Sequence, residues 1–121
     1  MSKETFEAVK SVLVAQSEGM LVTQDGPSVY TLHIAGPIEL AGRNLPDLFF
    51  AAVREGKHDT ALHFFPIYSH PQRFADLPAP LRKKMTGKSC FHIKAADAEL
   101  LDAMAAMLAR GRAIYSDPAK T

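Results

Sequence analysis

The chain is poor in thiols: it has one cysteine, Cys90, in 121 residues. That excludes an intrachain disulfide and any cysteine-rich zinc site. It also lacks a charge surplus, since 14 basic and 13 acidic residues leave a formal net charge of +1. A dedicated nucleic-acid binder usually carries a strong basic excess, so no nucleic-acid partner is expected. Apolar runs such as Leu48–Val53 are far short of the roughly 20 residues that a membrane-spanning helix needs. The opening Met1-Ser2-Lys3-Glu4-Thr5 leads into a charged amphipathic segment without the apolar core of a signal peptide. The expectation is a cytoplasmic protein with no membrane partner.

Catalytic signatures are missing too. There is no Gly-x-Ser-x-Gly elbow, and the carboxylates are too scattered to suggest an acid/base pair. None of His33, His58, His63, His70 and His92 stands at His-x-x-x-His spacing. Gly87-Lys88-Ser89 looks like the end of a phosphate-binding loop. That motif needs a glycine where Arg82 stands and a helix afterwards, whereas here a strand pattern follows. No catalytic residue, metal ligand or cofactor is assigned.

What is present fits one domain over residues 1–121. A chain of this length buries roughly 65–70% of its unfolded surface and needs no cross-link to hold together. Phe6, Val9, Val12 and Leu13 recur at helical spacing and predict a first helix over 3–17. Met20–Gln24 reads as a short strand, with a turn at Asp25-Gly26-Pro27. In Ser28–Ile34, Tyr30, Leu32 and Ile34 share one face. Gly36–Asp47 is weakly patterned, with turn signals at Gly36-Pro37 and Ala41–Asn44 and a short edge strand at Pro37–Leu40. Leu48–Arg54 and Thr60–Phe65, joined by a loop containing Gly56, predict an antiparallel hairpin.

Pro66, Pro71, Pro78 and Pro80 then punctuate the chain and suit the first turns of short helices. One helical turn is expected at Pro71–Ala75. Another is expected at Pro80–Thr86, with Leu77, Leu81 and Met85 along one side and Gly87 at its end. Ser89–Lys94 resumes alternation, with Phe91 and Ile93 on one face and Cys90, His92 and Lys94 on the other. Asp97 is placed to cap a final helix over 98–115 with a stripe of Leu101, Met104, Leu108 and Tyr115, which Gly111 would weaken or end early. The fold class is therefore α+β, an antiparallel β-sheet carrying an N-terminal helix, short middle helices and a C-terminal helix.

The strongest site signal is charge. Leu81–Ala96 contains no acid and carries Arg82, Lys83, Lys84, Lys88 and Lys94. A turn with exposed amides and nearby lysines can hold a phosphate or carboxylate, although charge runs are more often solvated surface. Cys90 invites a nucleophile reading, activated by Lys88 or His92. On one strand, though, Cys90 and His92 stand about 7 Å apart, and small buried cysteines are common. His63, Tyr68 and His92 on neighbouring strands could also form a composite site, the alternative being polar residues at the sheet rim. Tyr68, Phe74 and the proline segment can form the lip of an apolar pocket. The same apolar surface can serve as a homodimer interface.

Three blocks also resemble a known family. Glu55-Gly56-Lys57, Leu62–Tyr68 and Leu81–Lys94, the last containing Gly87-Lys88-Ser89-Cys90-Phe91, are similar to the YdhG-like domains of unknown function. The resemblance spans roughly 48–115. It implies an α+β domain broadly like frataxin in shape, and an iron-delivery role for some relatives. A frataxin-like iron surface uses a dense acidic ridge, and this first helix offers only Glu4 and Glu7, with Glu18 beyond its end. The expected function is a non-enzymatic binding domain for an anionic small molecule or acidic partner. Its candidate residues are Lys84, Lys88, Ser89, His92, Lys94, Tyr68 and His63. An iron-binding chaperone and a homodimeric interaction module are the alternatives.

Overall fold

A computed structural model of the chain describes residues 2–40, 42–87 and 89–116. The elements run in the order α1 (Ser2–Ala15), β1 (Leu21–Gly26), β2 (Val29–Leu40), β3 (Arg43–Glu55), β4 (Thr60–Phe64) and α2 (Pro66–Ser69). A 3₁₀ turn (Pro71–Phe74), α3 (Ala79–Arg82), β5 (Met85–Thr86), β6 (Cys90–Ile93) and α4 (Ala98–Ser116) complete them. All strand pairs are antiparallel, in the order β1-β2-β3-β4-β6-β5. The fold is the α+β arrangement expected from the pattern. The Ser89–Lys94 segment becomes β6, an internal strand between β4 and the two-residue β5.

Alternation decides which residues enter the core. Leu62 and Phe64 of β4 and Phe91 and Ile93 of β6 are fully buried. They meet Phe6, Val9 and Leu13 of α1 and Leu100, Met104, Met107 and Leu108 of α4 in one apolar cluster. Tyr30, Leu32 and Ile34, predicted to share a face, join the same cluster. His63, Cys90 and His92 alternate with core residues and belong to the opposite face. No helix among the described residues is long and apolar enough to cross a membrane.

Three local expectations change. The weakly patterned 36–47 region is the distal part of a long β2–β3 hairpin, in which Ile38, Glu39 and Leu40 pair with Leu45, Asn44 and Arg43. A register shift between Ala35 and Ile38 absorbs Gly36-Pro37. A side chain at position 36 would come within 2.6 Å of the Leu45 carbonyl oxygen, so the close approach needs glycine. Met85 does not extend a helix from Pro80. That helix stops at Arg82, and Met85 pairs with Phe91 as a strand residue. Gly111 does not end the last helix, which continues to Ser116. A Cβ there would stand 2.6 Å from Phe64 Cζ and 2.9 Å from the Pro66 ring, so glycine lets α4 lie close against the end of β4.

Two polar devices fix the helices. Asp97 Oδ1 accepts from the Leu100 amide at 2.9 Å, the predicted cap of α4. Arg112 donates to the carbonyls of Gln16 and Glu18, satisfying oxygens where the chain leaves α1.

Candidate functional site

The proline-punctuated segment shapes a hollow because its short elements cannot close over the sheet. Pro66 and Pro71 start α2 and the 3₁₀ turn, and Pro80 lies in the first turn of α3. Such positions tolerate proline since their amides have no intrahelical acceptor. Each element contributes an anchor to the core: Ile67, Phe74 and Leu81 are buried. Phe74 meets Phe64 edge to face at 5.4 Å, fixing the segment against β4. Arg110 of α4 donates to the Arg73 carbonyl at 3.0 Å and to Asp76 Oδ1 at 2.8 Å. That guanidinium bond holds the Asp76 carboxyl below its ordinary pKa.

A cavity of about 670 Å³ remains, lined by Ile67, Tyr68, Pro71, Phe74, Leu77, Arg82, Met85 and Gly87. Its walls are mainly apolar. Arg82 supplies its charge and donates to the Ala75 carbonyl from the same segment. Tyr68, 57% exposed, stands at its lip, tilted against Phe65 at a ring distance of 5.8 Å. Gly87 has φ of 75°, a left-handed conformation that favours glycine. It lets the chain turn at the cavity rim into β6. A volume of this size lies within the roughly 300–1,000 Å³ of small-molecule sites, which are mainly apolar with a few orienting polar groups.

The residues singled out from the sequence are spread over four places. Tyr68 lines the cavity, beside Gly87 of the basic turn; Lys88 lies outside the described residues. Lys84 and Ser89 are half-buried turn residues whose carbonyls accept from the amides of His92 and Phe64, each at 2.8 Å. His63 and His92 lie on the sheet's other face. His63 Nδ1 is 3.0 Å from Cys90 Sγ across the β4–β6 pair, and His92 Nδ1 is 3.2 Å from Asp59 Oδ2. Lys94, just past β6, borders a smaller hollow of about 360 Å³ with Glu4, Thr5, Ala8, Ala95 and Ala96. Its carbonyl accepts from Thr5 Oγ1 at 3.2 Å.

Burial, then the charges of Arg54 and His92, hold the His63 imidazole below its ordinary value. His70 is likewise lowered, by burial first and Arg73 second. Its Nδ1 is 2.8 Å from Ser69 Oγ, and Ser69 also bonds the Tyr115 hydroxyl, tying α2 to the end of α4. Among the described residues no group of three or more His, Cys, Asp or Glu is placed to hold a metal ion.

Sequence reasoning named Tyr68, Phe74 and the proline segment as a pocket lip, and Tyr68, Pro71 and Phe74 line the cavity. It missed Ile67, Leu77, Met85 and Gly87 as lining, and Arg82 as the lining cation rather than one of several surface charges. The lack of acid from Leu81 to Ala96 was the available signal for Arg82. Comparison of the chain with known protein families, with curated proteins and with solved structures found no match.

Proposed function

We propose that this domain is a non-enzymatic binding protein for a small amphipathic anion, held in the cavity between the proline-punctuated segment and β5. The observation that carries this is the pairing of an apolar cavity of about 670 Å³ with Arg82 as its charged lining residue. An apolar body would lie against Ile67, Phe74, Leu77 and Met85. A carboxylate would meet the Arg82 guanidinium, whose planar fork matches two oxygens. Lys83 and Lys84 follow directly and make this turn positive. The lysine-centred site expected from the sequence thus becomes, in this proposal, a carboxylate site centred on Arg82. We place the protein in the cytoplasm, since its lone cysteine, a free thiol, suits a reducing compartment. The YdhG-like kinship belongs to the same proposal and is supported by the sequence blocks alone.

Decanoate and decanol separate the two parts of the site. Bound ligand raises the melting temperature in proportion to the logarithm of its concentration over Kd. Decanoate should raise it in the native chain. Arg82→Gln should lose most of the decanoate shift and keep that of decanol, and Leu77→Trp, which fills the cavity, should lose both. No shift with either compound, or full shifts in Leu77→Trp, would sink the proposal.

A homodimeric module is the second reading, and β1 favours it. This strand forms one edge of the sheet, with Leu21 and Val22 exposed. An apolar edge is a template for pairing with another chain. Sedimentation at several concentrations tests it: a mass that stays monomeric up to millimolar protein rules it out. The iron-chaperone reading has no comparable support among the described residues.

A further inference from the structure

The sheet face opposite the core carries the chain's one thiol beside an imidazole. Strands β4 and β6 set His63 opposite Cys90. The Phe64 amide donates to the Ser89 carbonyl at 2.8 Å, closing the hydrogen-bonded pair next to them. His63 and Cys90 therefore occupy a non-hydrogen-bonded position of the ladder, where facing Cα atoms approach about 4.5 Å and side chains stand closest. The 3.0 Å from Nδ1 to Sγ follows from this register. Cys90 is half-buried rather than sealed, whereas its neighbour Phe91 is fully buried in the core.

We propose that Cys90 and His63 form a nucleophile–base pair that reacts with a small disulfide, making Cys90 a site of reversible S-thiolation. The thiol proton passes from Sγ to His63 Nδ1. The sulfur then attacks one sulfur of a low-molecular-weight disulfide. The new S–S bond forms as that of the small molecule breaks, and the departing half leaves as a thiolate that takes the proton. Cys90 is oxidised to a mixed disulfide and half of the reagent is reduced to a thiol, so no other oxidant enters.

The surroundings suit that step. Arg54 of β3 and His92 of β6 act on His63 from either side, and His92 itself is bonded to Asp59. Thr86 of β5, opposite Cys90, carries no charge. Burial first, then Arg54 and His92, hold the His63 imidazole below its ordinary value, so it stands as a neutral acceptor at pH 7. Positive charge beside the pair favours the thiolate once formed. This site lies on the other face of the sheet from the ligand cavity and does not depend on it.

With one cysteine in the chain, release of thiopyridone from dithiodipyridine reports Cys90 alone. The folded full chain should release one equivalent of thiopyridone at pH 7, without denaturant. His63→Gln should slow the reaction at pH 7 by about 10²-fold, the low end for loss of a positioned base. His63→Asn provides a second variant, and thermal melting confirms that each is folded. Dithiothreitol should restore the unmodified mass. Equal rates in native and variant chains, reaction only after denaturation, or a label that resists dithiothreitol would each overturn the proposal.

Discussion

The two faces of the β4–β6 pair are built from alternate residues of the same short strands and have opposite chemistry. One face presents Leu62, Phe64, Phe91 and Ile93, all fully buried beneath α1 and α4. The other presents Ala61, His63, Cys90 and His92, half-buried or exposed. The first set holds the domain together, because apolar area removed from water stabilises by roughly 25 cal/mol per Å². The second contributes little to that and is free to carry reactive groups. Neighbouring positions one residue apart should therefore answer mutation in different currencies, stability on one face and reactivity on the other.

The sharpest way to break this contrast is Phe64→Ala. Phe64 meets Phe50 and Phe74 edge to face and lies against Gly111. Its truncation should cost about 3–5 kcal/mol in urea unfolding, as for other buried aromatics. Gly111→Ala comes next. Alanine favours a helix over glycine by about 1 kcal/mol, yet its Cβ would collide with the Phe64 ring and Pro66. Overpacking should win, with a net loss of about 1–3 kcal/mol.

Acid should bring a smaller loss. His63 and His70 both have folded-state values below the ordinary 6.5. The unfolded chain therefore binds more protons than the native one as pH falls below 6.5, so their contribution is whole above that pH and declines beneath it. Urea midpoints should fall between pH 6.5 and 5 and less so in His63→Gln; a flat profile would contradict the assignment. The smallest effect belongs to His92→Ala on the open face. It removes an exposed pair with Asp59, and such pairs are worth little. Unfolding free energy should change by no more than about 0.5 kcal/mol.

The same contrast explains how much could be read from the chain. Strands with one face in the core announce themselves by alternation, so Ser28–Ile34, Thr60–Phe65 and Ser89–Lys94 were legible, as was the Asp97 cap. The distal β2–β3 hairpin was not. Gly42, Arg43, Asn44 and Pro46 are exposed there and, among the described residues, only Leu45 packs against the core, so the pattern carries too few apolar residues to show a period. Met85 misled because its spacing from Leu81 also fits a helix. The cavity depends on how three short segments sit against β5, which no local spacing encodes beyond the prolines. The His63–Cys90 pair depends on the register between two strands separated by the whole proline segment. On the sequence alone, the same-strand neighbour His92 looked like the nearer partner.

The central functional claim is that the cavity beside Arg82 takes an amphipathic carboxylate. Its most direct test is a titration of the full chain with decanoate followed by methyl and aromatic NMR. Saturable shifts at Ile67, Leu77, Met85 and Tyr68, with Ala61 on the opposite face unmoved, are the predicted result. Shifts confined to the open face or to Lys94 and its small hollow, or no saturable shift at all, would contradict it.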